Sequence, residues 1–177
     1  MLALPITTER LLLRVPQATD LDPLREFYED PAALEHVGTQ TAWDRESMGR
    51  RLQGWADDHQ QHGYGMATIE LRGNRDVIGL LGLSPGEDGI PELSCMLIRA
   101  YWRSGYCREA AAAYLARAQH DPRFSAIRVR MESHNPARAH MERHVFFPHG
   151  FACTAEEPFP PSGRLMRYYS WTAPPTR

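Results

Sequence analysis

The residues best suited to chemistry in this chain are gathered between Glu92 and Cys107. The stretch Tyr101-Trp102-Arg103-Ser104-Gly105-Tyr106-Cys107 follows an apolar run and leads directly into an alanine-rich segment with helical spacing. A glycine turn at a helix start leaves backbone N–H groups unpaired at the positive end of the helix dipole, which suits a phosphate. A lone glycine in a strand-to-helix turn can equally serve the backbone alone, by tolerating a positive φ. Glu92 opens the preceding strand. A carboxylate at a strand start beside a cleft can take a proton from a substrate directly or through water, and it can also be a plain exposed strand end.

These residues need a scaffold, and the apolar spacing supplies one. Arg10 to Arg14 reads as a first strand, Tyr64 to Leu71 and Val77 to Leu83 as a hairpin turning at Arg72-Gly73-Asn74-Arg75, and Glu92 to Leu97 as the strand before the turn. Thr19 or Asp20 is expected to cap a short helix through Glu29, with Pro23 in its first turn. A second helix starts at Asp44, carries Met48, Leu52 and Trp55 on one face, and ends at Gly63. The helix from about Cys107 to Gln119 places Ala110, Ala111, Tyr114, Leu115 and Ala118 on one side, and Asp121-Pro122 ends it. Ala126 to Glu132 alternates Ile127, Val129 and Met131 with Arg128 and Arg130, so it is another strand, parallel to the Glu92 strand because a helix crosses between them. Phe151 to Thr154 and Leu165 to Trp171 complete the sheet. The expected fold is a single α/β domain over residues 1–172, with a mixed, mostly antiparallel sheet of six or seven strands flanked by helices, and a loose tail over 173–177.

The run ELSCMLIRAYWRSGYCREA resembles, without a gap, the acetyl-CoA-binding core of the GNAT N-acetyltransferases, whose ribosomal-protein-modifying (RimJ/RimL-like) branch reads E-L-G-Y-x-L-x-P-x-Y-W-G-K-G-Y-A-T-E-A. Thr8-Glu9-Arg10-Leu11-Leu12-Leu13-Arg14 resembles that branch's first strand, and Asn135-Pro136-Ala137 followed by Gly150-Phe151 keeps its order. The resemblance implies acetyl-CoA as cofactor. It implies that Arg103, Ser104, Gly105, Tyr106 and Cys107 hold the pyrophosphate, chiefly through backbone amides. It implies that the Glu92 strand separates from its parallel neighbour, so that Cys95, Met96 and Leu97 pair with the pantetheine arm. An amide N–H of this stretch, with Met96 as the candidate, then stabilises the oxyanion formed when an amine attacks the thioester. Glu92 is the candidate general base, or the residue that holds the amine. Asn135 both caps the next helix and contacts the pantetheine region.

The chain departs from the family pattern after Asn135. Arg138 occupies the position of a serine, Met141 or Glu142 that of a tyrosine assisting the departing sulfur, and His144 to His149 imply an extra loop before Gly150-Phe151. Ser133, His140 and His144 are weaker candidates for that acid. His140 and His144 have zinc-compatible i, i+4 spacing, but Glu142 is out of register with H-E-x-x-H, and surface histidines are the plainer reading. Glu70, Asp57 and Asp58 are expected on solvated faces.

A chain of 177 residues fits one well-buried core, and a formal net charge of −2 argues against nucleic-acid wrapping. Cys95, Cys107 and Cys153 are odd in number and widely spaced, which points to a reducing, cytoplasmic setting. No apolar run approaches membrane-spanning length, and no leader pattern opens the sequence. The expected activity is direct acetyl transfer in a ternary complex to a primary amine, either a protein N-terminus or a small molecule, with neither metal nor redox cofactor. Val37 to Trp55 and His144 to Pro161 are expected to shape the acceptor pocket. A homodimer is compatible with this reading. The alternative from another class is a non-catalytic acyl-CoA sensor, and a histidine-bound metal hydrolase rests on the histidines alone.

Overall fold

Eight segments pair edge to edge into one sheet: β1 (Ile6–Thr7), β2 (Leu11–Arg14), β3 (Met66–Leu71), β4 (Val77–Ser84), β5 (Glu92–Leu97), β6 (Ala126–Glu132), β7 (Ala152–Pro158) and β8 (Leu165–Thr172). Their order is β1-β2-β3-β4-β5-β6-β8-β7, and every neighbouring pair is antiparallel except β5 and β6. The structure, a computed structural model, describes residues 2–37, 43–86, 88–160 and 162–174. The strand beyond the expected count is β1, whose two residues are too few to show a period and pair with Leu13 and Leu12 of β2.

Helices cover both faces. On one face α4 (Tyr106–Ala118) lays Ala110, Ala111, Tyr114, Leu115 and Ala118 against Leu81, Ile127, Val129 and Tyr169. Three alanines in that stripe bring the helix close to the sheet. Tyr114 stays polar-satisfied at 0% exposure by donating to the Gly65 carbonyl and accepting from the Leu83 amide. On the other face α1 (Arg25–Tyr28), α2 (Pro31–Leu34) and α3 (Arg45–His62) pack Leu24, Phe27, Met48 and Leu52 over Met66, Leu80 and Met96. Asp44 caps α3 by accepting from the Ser47 amide at 2.7 Å, and Gly63 ends it at φ 71°, as the sequence predicts.

Several expectations need correction. The helix expected through Glu29 is a 3-10 turn, Ala18–Asp20, followed by α1, with Pro23 before α1 rather than inside it. Asp20 is drawn inward by Arg14 and by the Thr68 hydroxyl, which makes it a core residue at 2% exposure. Glu70 is buried too, at 3% exposure, with Arg14 Nε at 2.8 Å and Arg75 Nε at 2.6 Å from its two oxygens. Alternation along β3 fails to predict this because helices cover both faces of the strand, and arginine pairing makes the charge tolerable inside. The expected extra loop over His144 to His149 is instead a π-helical turn, Glu142–Phe146, and a 3-10 turn, Phe147–His149, closed by Gly150 at φ 76°. Val145 and Phe146 are buried against Phe151 and Tyr169, and that burial gives the insertion its order. At the C-terminus Ala173 donates to the Ser125 carbonyl, while residues 175–177 of the expected tail lie outside the described residues.

Candidate active site

The β5–β6 pair is short. Glu92 pairs with Arg128 and Leu93 with Val129, and there the parallel ladder stops, although β6 continues for three more residues and β5 for four. β5 remains paired with β4 along its whole length and β6 with β8 along its whole length. Between them, beyond Leu93 and Val129, lies a gap whose walls are strand edges with no strand partner among the described residues.

The ladder decides which β5 residues face the gap. The Ile98 amide donates to Ile78, so pairs in that phase are the hydrogen-bonded ones, Leu80 with Met96 among them. Met96 therefore turns its backbone toward β4, and its carbonyl lies 2.2 Å from where a Cβ on Gly79 would sit. The gap receives the backbone of Cys95 and the amide of Leu97 instead. The Leu97 carbonyl is taken by the Trp102 indole N–H at 2.9 Å. Strand periodicity could have singled out Cys95 over Met96 had the register been known.

Beyond β5 the chain forms a 3-10 turn, Arg99–Tyr101, and reaches α4 through residues 102–105. Arg103 at φ 61° and Gly105 at φ 80° are both left-handed, and Gly105 caps α4 without a side chain, so no side chain fills the amides of the first turn. A Cβ on Gly105 would have Arg10 Nη2 at 3.5 Å and Arg108 Nη2 at 4.0 Å as its nearest neighbours, so the space over the turn is open and flanked by guanidiniums. Left-handed residues that point successive amides outward, a helix N-terminus and two arginines fit a diphosphate. Tyr106 is covered by the Arg10 guanidinium at 4.4 Å, and Ser104 offers its carbonyl to Arg10 Nη1 at 3.0 Å.

Arg10, Arg108 and Glu109 were not read from the sequence as site residues. Glu109, in the first turn of α4, accepts from the Thr8 hydroxyl, the Arg10 amide and Arg10 Nε. Burial opposes its ionisation, but these donors outweigh burial and hold the carboxyl below its ordinary range. The only signal was a carboxylate near a helix start, where one is favourable for ordinary reasons.

Glu92 sits at the closed end of the gap. Its carboxylate accepts from Arg130 Nη2 at 3.0 Å, with Arg128 Nη1 at 3.7 Å. Arg130 stacks on Phe159 at 4.3 Å, and beyond it Glu132 binds His36 and Arg164 around a cavity of about 30 Å³. A groove of about 610 Å³, lined by Glu26, Glu29, Asp30 and Arg99, adjoins Ile98 at the far end of β5. Six residues of strand separate the two, roughly 20 Å, so that groove is remote from Glu92.

Asn135 lies three residues beyond the end of β6, and its side chain accepts from the Ala137 amide at 2.8 Å in a local turn. It does not cap α5 (Arg138–Met141), whose N-cap is Ala137. Arg138 is occupied by Glu142 and the Ser133 carbonyl. The Ser133 hydroxyl is buried without a partner among the described residues. His140 and His144 stack at 4.5 Å, and no group of three or more metal-binding side chains occurs among the described residues. No described helix is long and apolar enough to cross a membrane. Of the segments expected to shape the acceptor pocket, residues 38–42 and 161 lie outside the described residues.

Known proteins share this architecture. A GNAT-family acetyltransferase from Bacillus anthracis superposes with a TM-score of 0.79 at 18% identity, covering 96% of this chain and 98% of that one. RimL, a ribosomal alpha-N-protein acetyltransferase solved with coenzyme A in disulfide linkage to one of its cysteines, gives 0.78 at 14% identity over 96% and 98%. A microcin self-immunity acetyltransferase solved with acetyl-CoA and AMP gives 0.76 at 10% identity, with 93% of each chain covered. Among curated protein sequences none matches significantly. The profile of the acetyltransferase (GNAT) domain matches residues 10–144, from the second strand through the gap, the turn and Asn135. Kinship over that length is decisive, and the chain belongs to the GNAT acetyltransferase family.

Proposed function

We propose that this protein is an acetyl-CoA-dependent N-acetyltransferase in which a primary amine attacks the thioester directly, with both substrates bound at once. The observation that carries the reading is the gap that opens after two rungs of the β5–β6 pair, with the arginine-flanked turn at the end of the same strand. A slot edged by free amides and ending in an anion cradle matches an arm of amides ending in a diphosphate. Family membership and the relatives solved with coenzyme A and acetyl-CoA support that donor.

In this reading the amides of residues 103–107, with Arg10, Arg103 and Arg108, hold the pyrophosphate, and Asn135 borders the arm from the β6 side. Cys95 and Leu97 pair with the arm, and the Cys95 amide takes the oxyanion role assigned by sequence to Met96, because it faces the gap. Glu92 receives the proton of the acceptor ammonium, and Arg128 and Arg130 fix its position. Ser133, whose buried hydroxyl has no partner among the described residues, is the candidate acid for the departing sulfur. Acceptors are protein N-termini or small amines in the cytoplasm.

One observation favours the sensor alternative: Arg138, at the family's serine position, is held in an ion pair with Glu142 and supplies no hydroxyl. Thiol release from acetyl-CoA against a panel of N-terminal peptides and small amines separates the readings. Turnover with any amine supports the transferase. Tight acetyl-CoA binding without turnover supports the sensor, and absence of both overturns the assignment.

A further inference from the structure

Cys95 on β5 and Cys107 in the first turn of α4 bring their Sγ atoms to 2.7 Å. A disulfide bond is about 2.05 Å long, so two thiols placed this close need little movement to join. Both are free, half-buried thiols, and Met141 Sδ lies 4.0 Å from Cys107 Sγ, so the two face one another in a small sulfur cluster under the turn. The third cysteine, Cys153, is exposed on β7 and takes no part. Acyl transfer as described above uses only the backbone of Cys95 and Cys107. Their sulfurs are left without a role.

We propose that Cys95 and Cys107 form a dithiol modification site that closes reversibly into an intramolecular disulfide by exchange with a low-molecular-weight disulfide such as glutathione disulfide. Cys107, beside the exposed Arg108 at the start of α4, is the residue an incoming reagent meets first. It gives its proton to solvent, and its sulfur attacks one sulfur of the small disulfide. One small thiolate leaves and is protonated, and a mixed disulfide remains on Cys107. Cys95 then gives up its proton, attacks Cys107 Sγ and expels the second small thiol. Two protein thiols are oxidised by two electrons, and one small disulfide is reduced to two thiols. The Cys107 neighbour and burial both push the Cys95 thiol up, so Cys95 is a poor first attacker and a well-placed second one. The bridge encloses the whole turn over residues 95–107 and fixes its two ends to each other.

The test treats the full chain with glutathione disulfide at mildly alkaline pH, alkylates the remaining thiols, and maps peptides without reduction. The expected product is a linked pair of peptides carrying Cys95 and Cys107, with glutathione only on Cys153. Its thermal midpoint should rise by about 5 °C or more, as a closed loop of this length implies, and fall back with dithiothreitol. Cys95→Ser should trap glutathione on Cys107, and Cys107→Ser should leave Cys95 unmodified. If the parent protein keeps both thiols alkylatable, or retains glutathione on Cys107, the proposal is wrong. Neither result depends on what the protein acetylates, so failure here is distinct from failure of the transferase reading.

Discussion

Arg10 Nε donates to Glu109 Oε2 at 2.6 Å, which ties the start of the second strand to the first turn of α4 across 99 residues of sequence. The same guanidinium reaches the Ser104 carbonyl and covers Tyr106, so one side chain links strand, turn and helix. Arg10→Ala is expected to weaken acetyl-CoA binding about tenfold, by loosening the turn and removing a cation, with the fold retained. Glu109→Gln should give a smaller loss in the same direction. Calorimetric titration alongside circular dichroism checks both, and unchanged affinity for Arg10→Ala would show that the turn holds its shape without the strap.

The cradle should depend on backbone more than on side chains. Gly105→Val forces a branched residue into a left-handed conformation and places carbon between the Arg10 and Arg108 guanidiniums, so acetyl-CoA affinity should drop at least tenfold. Ser104→Ala, whose hydroxyl only approaches the Trp102 carbonyl at 3.4 Å, should bind like the parent. Equal affinities in two folded variants would remove the diphosphate assignment.

Glu92→Gln keeps the shape beside Arg130 and removes the base. Turnover at neutral pH should fall on the order of a hundredfold, with acetyl-CoA affinity nearly intact. The deficit should shrink as pH rises and free amine becomes abundant. A pH series on the amine that the panel identifies is the measurement, and parent-like turnover throughout would reduce Glu92 to a structural strand end.

Asp121 supplies a stability test independent of function. The Arg123 guanidinium and the Leu2 amide hold its buried carboxyl well below the usual carboxylate range, against the opposing effect of burial. A carboxyl with a depressed folded-state pKa stabilises the fold above its unfolded value of about 3.9, and that contribution is lost as pH falls toward the folded value. Asp121→Ala should cost about 2–3 kcal/mol at pH 7 and flatten the loss of stability below pH 4. Urea titrations at pH 7 and below pH 4 read both effects.

The turn and α4 were legible because their signals are local: a glycine that tolerates positive φ, then an alanine stripe at helical spacing. Seven of the eight strands could be read from apolar runs for the same reason. What escaped was pairing between distant residues. Nothing near Arg10 encodes its contact with Glu109, and nothing in β3 marks Glu70 as a buried partner of Arg14. Register escaped too. The choice between Cys95 and Met96 at the gap depends on how β5 meets β4, and a one-residue difference in phase exchanges the groups that face the slot.

The sheet ends in two unlike borders. β1 is two residues long, and β7 presents exposed Glu156, Glu157 and Pro158 beside a register shift at Cys153 and Ala155. Short length, like charge, a missing donor and a kink each oppose the docking of a foreign strand. Both borders of the eight-stranded sheet are thereby blunted against the edge-to-edge pairing that a wide open sheet otherwise invites.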